Sequence, residues 1–136
     1  MPQKVELVCI IDDDRVYVNL VSKVIELRKL SKEIMIFKNG KEAIDFFRRH
    51  ADDETEVEQQ VPKIILLDLN MPIMDGWEFL KEYTQIKSKI EAPIEIFVVS
   101  SSINPRDINR AKAIKEVSDY ITKPIRLGDF ERIFSN

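Results

Sequence analysis

Residues 63–68 read Lys63-Ile64-Ile65-Leu66-Leu67-Asp68, an aliphatic run closed by an aspartate. A short, continuous apolar run between polar residues suits a strand buried on both faces. Runs of the same kind, rich in β-branched residues, recur at 6–11, 34–37, 94–99 and 120–122. Between them the apolar residues take helical spacing. Val18, Val21, Val24, Ile25 and Leu27 predict a helix from Asp14 to about Lys29. Ala43, Ile44, Phe46 and Phe47 predict a second after Asn39-Gly40, and Phe79, Leu80, Tyr83 and Ile86 a third. Ile108, Ala111, Ile114 and Val117 predict a fourth, and Leu127, Phe130, Ile133 and Phe134 a short fifth. Strands and helices in strict alternation imply an α/β fold, a parallel sheet with helices on both faces. The right-handed crossover rule makes that sheet doubly wound. Such sheets bind ligands at the carboxyl ends of their strands, so the chemistry is expected in the residues just after each strand.

Length and composition bound the rest. The 136 residues suit one domain, 1–136, with no output domain. With 44% hydrophobic and 33% charged residues the composition is that of a globular protein, and the net charge of -3 lacks the basic stripe that nucleic acid takes. The one cysteine, Cys9, lies in an apolar run, which excludes a disulfide framework. The first residues lack a signal-peptide pattern, and no apolar stretch approaches the ~20 residues that span a bilayer. The expectation is a cytoplasmic protein with no membrane insertion and no direct nucleic-acid partner. The polar, mostly acidic stretch 52–60 reads as a solvated loop insertion that bears on partner choice rather than on chemistry.

The strand ends carry the candidate site. Strand 1 closes on Asp12-Asp13-Asp14, and Asp14 suits a helix N-cap. With strands 1 and 3 adjacent, Asp68 would face Asp12 and Asp13. Two carboxylates ~4 Å apart repel by about 4 kcal/mol at an effective dielectric of ~20. Three therefore need compensation, which a hard cation such as Mg²⁺ supplies, held by carboxylates, waters and phosphate oxygens. Strand 4 ends in Ser100-Ser101-Ser102, whose hydroxyls can cap the next helix or donate to a phosphoryl oxygen. Strand 5 ends in Lys123-Pro124, where an ammonium would point into the acidic pocket. Acids, a hydroxyl and a lysine at one edge of one sheet form a consistent phosphoryl-transfer site.

At these residues the chain resembles the receiver domains of two-component response regulators. The resemblance rests on Ile11-Asp12-Asp13-Asp14, Leu67-Asp68-Leu69-Asn70-Met71-Pro72 through Met74-Asp75-Gly76, Val99-Ser100-Ser101 and Tyr120-Ile121-Thr122-Lys123-Pro124. These occur in the family's order across nearly the whole chain, and the D-x-x-M-P-x-M-D-G stretch is highly specific. The resemblance implies the flavodoxin-like (βα)5 receiver fold with strand order 2-1-3-4-5. It implies that Asp68 is the phosphoacceptor, and that Asp12, Asp13, Asp68 and the backbone carbonyl of Asn70 hold Mg²⁺, with Mn²⁺ able to substitute. Lys123 matches the family's invariant lysine, Ser100 the switch hydroxyl and Tyr120 the switch aromatic. Asn70 and Ser102 match the positions that tune the lifetime of the acyl phosphate. The Lys123-Pro124 peptide is expected to be cis. Ser100 departs from the commoner threonine while keeping the hydrogen-bonding group.

The implied function is phosphoryl acceptance from a histidine kinase or histidine phosphotransfer protein. The domain would catalyse its own phosphorylation and dephosphorylation without turning over an external substrate. Phosphate would draw Ser100 inward, Tyr120 would fill the vacated space, and the surface of the fourth helix, fifth strand and fifth helix would signal to a downstream protein. A flavin-mononucleotide binder would share the sheet but take a Ser/Thr/Gly-rich loop where this chain has three aspartates. A haloacid-dehalogenase-like phosphatase carries D-x-D-x-T/V, from which Asp68-Leu69-Asn70-Met71-Pro72 departs. A histidine phosphotransfer module needs a reactive histidine on a helical bundle, whereas His50 reads as a surface residue. A receiver-fold interaction domain that works without phosphorylation is the remaining alternative.

Overall fold

Alternation along each strand sends successive side chains to opposite faces of a sheet, and here both sets are apolar. The computed structural model describes residues 5–52, 61–90 and 92–135. Its strands are β1 (Val5–Ile11), β2 (Ser31–Phe37), β3 (Ile64–Leu67), β4 (Glu95–Ser100) and β5 (Val117–Thr122). Its helices are α1 (Arg15–Leu27), α2 (Gly40–Asp52), α3 (Gly76–Ile86), α4 (Pro105–Lys112) and α5 (Leu127–Ile133), with a 3-10 turn at Lys87–Lys89. The strands form one parallel sheet in the order β2-β1-β3-β4-β5, as the resemblance implies. The acidic stretch 52–60 lies, apart from Asp52, outside the described residues. Among the described residues no helix is long and apolar enough to cross a membrane.

The two faces of the sheet carry separate cores. Cys9, Ile11, Ile65, Leu67, Ile96 and Val98 pack with α2, α3 and Ala111 of α4. Val8, Ile10, Ile64, Leu66, Phe97 and Val99 pack with Val18, Val21 and Ile25 of α1 and with Phe130 and Ile133 of α5. Phe47 anchors the first core, its ring 5.2 Å from Phe46, 6.0 Å from Phe79 and 5.6 Å from Tyr83. Tilted and edge-on pairs of this kind add to what burial alone contributes.

Helix ends follow local rules. Asp14 caps α1 by accepting from the Tyr17 amide. Asp75 and Glu78 form a capping box on α3, and Asn104 with Pro105 opens α4. Helix α1 stops in a left-handed turn at Lys29 (φ 55°), where the Lys29 and Leu30 amides return to the Glu26 and Ile25 carbonyls.

Three expectations need correction. The fourth helix ends at Lys112 instead of running through Ile114 and Val117; Val117 opens β5 and pairs with Ile96. Its spacing from Ile114 imitates a helical step. Strands β2 and β5 also begin three residues before the expected points, at Ser31 and Val117. Both are edge strands, where solvent satisfies polar residues such as Lys32, Glu33 and Ser118, so an apolar run understates their length. His50 is half-buried, its ring 4.6 Å from that of Phe46.

Candidate functional site

The strand register delivers the site. Ile11 pairs with Leu67, so the next residues of β1 and β3, Asp12 and Asp68, leave the sheet side by side. The ladder continues one bond past each strand: Asp12 N–H donates to the Phe37 carbonyl, Asp68 N–H to Ile11 and Lys123 N–H to Ser100. Each chemical group therefore stands on backbone fixed by the sheet rather than on free loop.

Asp12 and Asp68 are buried while Asp13 is exposed, and carboxylate oxygens of all three lie within 4.8 Å of one another. Lys123 Nζ is 2.9 Å from Asp12 Oδ2 and 3.7 Å from Asp68 Oδ1. Asp12 Oδ1 accepts from the Asp14 amide, and Asp68 Oδ1 from the Leu69 amide. Burial, and then the neighbouring Asp12 charge, push the Asp68 carboxyl up to about 6; Lys123 and the Leu69 and Asn70 amides pull the other way. Oxygen donors in this number and spacing suit a hard divalent cation, which would relieve the repulsion that Lys123 offsets only in part.

A glycine makes the β3–α3 loop possible. Gly76 donates to the Leu69 carbonyl, and a Cβ there would lie 2.4 Å from the Asp68 carbonyl oxygen. Gly40, at the start of α2, donates to the Met74 carbonyl of the same loop. Within the loop Ile73 holds φ at 69° with 79% of its surface exposed.

Ser100 is fully buried, and its Oγ accepts from the Ser102 amide at 3.2 Å. Tyr120 is also buried, its hydroxyl donating to the Ser102 carbonyl at 2.8 Å. Ser102 Oγ in turn donates to Asp107 of α4 at 2.7 Å. Asn70 is exposed beside the acidic cluster. The Lys123-Pro124 peptide is cis, as expected.

Sequence reasoning passes over two residues here. Asp107 ties Ser102 to α4, and its only signal is its place in the first turn of that helix. Tyr17 lies under Lys123, with Nζ 4.3 Å from the ring centroid. Its hydroxyl is buried beside the Ile125 backbone. Burial first, and then the Asp12 charge, raise its phenol well above the ordinary value, so the ring is neutral. The sequence places Tyr17 near the carboxyl edge, in the first turn of the helix after strand 1, but does not say where its ring points.

A doubly wound β2-β1-β3-β4-β5 sheet with an acidic cluster facing a lysine at its carboxyl edge defines a receiver-type α/β domain. The family description "Response regulator receiver domain" matches residues 8–134, and the chain belongs to that family. Response regulator Rcp1 of Synechocystis is 30% identical over 124 residues, 91% of this chain and 80% of its own. The Mn(2+)-bound form of response regulator Rcp1 superposes with a TM-score of 0.73 at 27% identity, covering 96% of this chain and 90% of that one. A two-component response regulator from Cytophaga hutchinsonii superposes with a TM-score of 0.84 at 27% identity, covering 98% and 96%. Receiver domains of two-component systems bind a divalent metal and take phosphoryl groups from histidine kinases.

Proposed function

We propose that this chain is a phosphoryl switch in which Asp68 accepts the group from a phosphohistidine of a kinase or phosphotransfer protein. The observation that carries this reading is the cluster itself: Asp12, Asp13 and Asp68 within 4.8 Å of one another, with Lys123 at 2.9 Å from Asp12 and 3.7 Å from Asp68. The Asp68 carboxylate attacks phosphorus, forming an acyl phosphate while the P–N bond to the donor imidazole breaks and the nitrogen leaves with the electron pair. Asp12, Asp13, Asp68 and the Asn70 carbonyl would hold Mg²⁺, and Mn²⁺, as bound by the similar Rcp1, suits the same oxygens. The metal supplies positive charge against the oxygens of the transferred group. Lys123 pairs with those oxygens and so leaves its position over Asp12.

Ser100 Oγ then donates to a phosphoryl oxygen in place of accepting from Ser102. Ser102 also holds the Tyr120 hydroxyl and Asp107, so this exchange alters what holds α4 in position. The surface of α4, β5 and α5 carries the change to a downstream protein in the cytoplasm. Asn70 and Ser102 set water access to the acyl phosphate, and their modest size favours a lifetime that is not unusually long.

The test is incubation with Mg²⁺ and a small-molecule phosphodonor, read by intact mass. The wild type gains one phosphoryl increment and Asp68→Asn gains none. If the wild type gains none, a receiver-fold interaction domain that works without phosphorylation becomes the better reading. An equal gain by Asp68→Asn would place the acceptor elsewhere.

A further inference from the structure

At the site Lys123 meets an aromatic ring as well as two acids. Its ammonium lies 2.9 Å from Asp12, 3.7 Å from Asp68 and 4.3 Å from the centre of the Tyr17 ring. A lysine side chain is long and flexible, and the two carboxylates cannot alone fix where it stays, because both also attract a divalent cation. An aromatic face attracts a cation without being a metal ligand, and the attraction grows where water is excluded. Only 18% of the Lys123 side chain is exposed.

We infer that Tyr17 is a positioning residue for Lys123, its ring face holding the ammonium at the acidic cluster when the metal takes the carboxylates. The placement of the ring is built into the strand end. Asp12 Oδ1 accepts from the Asp14 amide, and Asp14 Oδ1 accepts from the Tyr17 amide. Two consecutive hydrogen bonds therefore tie the aromatic residue to the same aspartate that holds Lys123. It is the ring face that meets the ammonium, while the Tyr17 hydroxyl lies by the Ile125 backbone, so the ring rather than the phenol carries the role, and phenylalanine serves equally.

The inference rests on the proposed phosphoacceptor role only for its kinetic consequence; the placement of Lys123 is tested without it. NMR of the full chain, with Lys123→Arg used for assignment, reads the Lys123 ε-methylene protons. They are shifted upfield by the ring in the wild type and in Tyr17→Phe, and return to ordinary values in Tyr17→Leu, both without metal and with saturating Mg²⁺. The kinetic arm follows phosphoryl uptake from a small phosphodonor. Tyr17→Leu lowers the maximal rate about three- to tenfold with the half-saturating donor concentration unchanged, and Tyr17→Phe restores it. Should Tyr17→Leu fold poorly, stepwise-fluorinated phenylalanines at position 17 keep the size and weaken the ring's charge distribution; the rate then falls with each fluorine.

Unshifted Lys123 protons in the wild type overturn the inference whatever the rates. So does a Tyr17→Leu protein, or a fluorinated series, as fast as the wild type. A wild type that takes no phosphoryl group removes the phosphoacceptor reading alone, and the proton shifts then decide for or against the Tyr17–Lys123 contact by themselves.

Discussion

Replacing Asp68 by asparagine should make the metal-free protein more stable, and the gain should depend on pH in a direction fixed by the site. The Asp68 carboxyl is raised from its ordinary 3.8 to about 6, first by burial and then by Asp12. The folded protein thus holds this proton more tightly than the unfolded chain does. The stability linked to that proton is fully present below pH 3.8 and is lost as pH rises through about 6. About two pKa units correspond to roughly 3 kcal/mol at about 1.36 kcal/mol each, and solvent at the rim of the site reduces this to about 1–2 kcal/mol. Asparagine does not titrate, so the wild type loses stability with rising pH and Asp68→Asn does not. Urea unfolding of both proteins in a chelator, from pH 4 to pH 8, should give a stability difference that is smallest at pH 4 and about 1–2 kcal/mol larger at pH 8. A packing effect of the amide shifts that curve up or down without tilting it. A flat difference, or one that shrinks as pH rises, would refute the claim that burial and Asp12 strain the Asp68 carboxylate. Excess Mg²⁺ should narrow the gap at pH 8, because metal binding stabilises the folded wild type.

Ile73→Gly should stabilise the protein by about 1 kcal/mol, since φ is 69° in a β-branched residue that is 79% exposed and little packing is lost; urea denaturation reads it, and a loss would contradict the strain. Gly76→Ala should cost about 2 kcal/mol or more and slow phosphoryl uptake, because the new Cβ would meet the Asp68 carbonyl oxygen at 2.4 Å and the Leu69 Cα at 2.9 Å. Normal stability with normal uptake would show that the loop yields freely. Phe47→Ala should cost about 3–5 kcal/mol in a denaturation series, having removed the ring between Phe46, Phe79 and Tyr83.

The sequence is most legible where burial is two-sided. β1, β3 and β4 are central or next to central, and their apolar runs mark them within a residue or two. The edge strands β2 and β5 are under-read because one flank meets solvent, and α4 is over-read because Val117 stands three residues from Ile114. The acids, the serine run 100–102 and Lys123 could be placed from topology alone, since a parallel sheet aligns its carboxyl ends; the resemblance singled out Ser100. Residues reached only by side-chain direction could not. Tyr17 under Lys123, Asp107 under Ser102 and the Gly76 contact with the Asp68 carbonyl depend on angles that spacing does not encode.

The separation of the core into two faces has a consequence for how the domain meets its partners. Helix α4 and Tyr120 rest on the layer shared with α2 and α3, whereas α5 rests with α1 on the opposite layer. The sheet acts as a bulkhead between them. Contacts with α4 are therefore backed by one compartment, and contacts with α1 and α5 by the other. A protein gripping α1 and α5 would meet helices anchored on one core, while one reaching across to α4 would also engage the other. The same small domain thus offers adjoining surfaces backed by two separate cores.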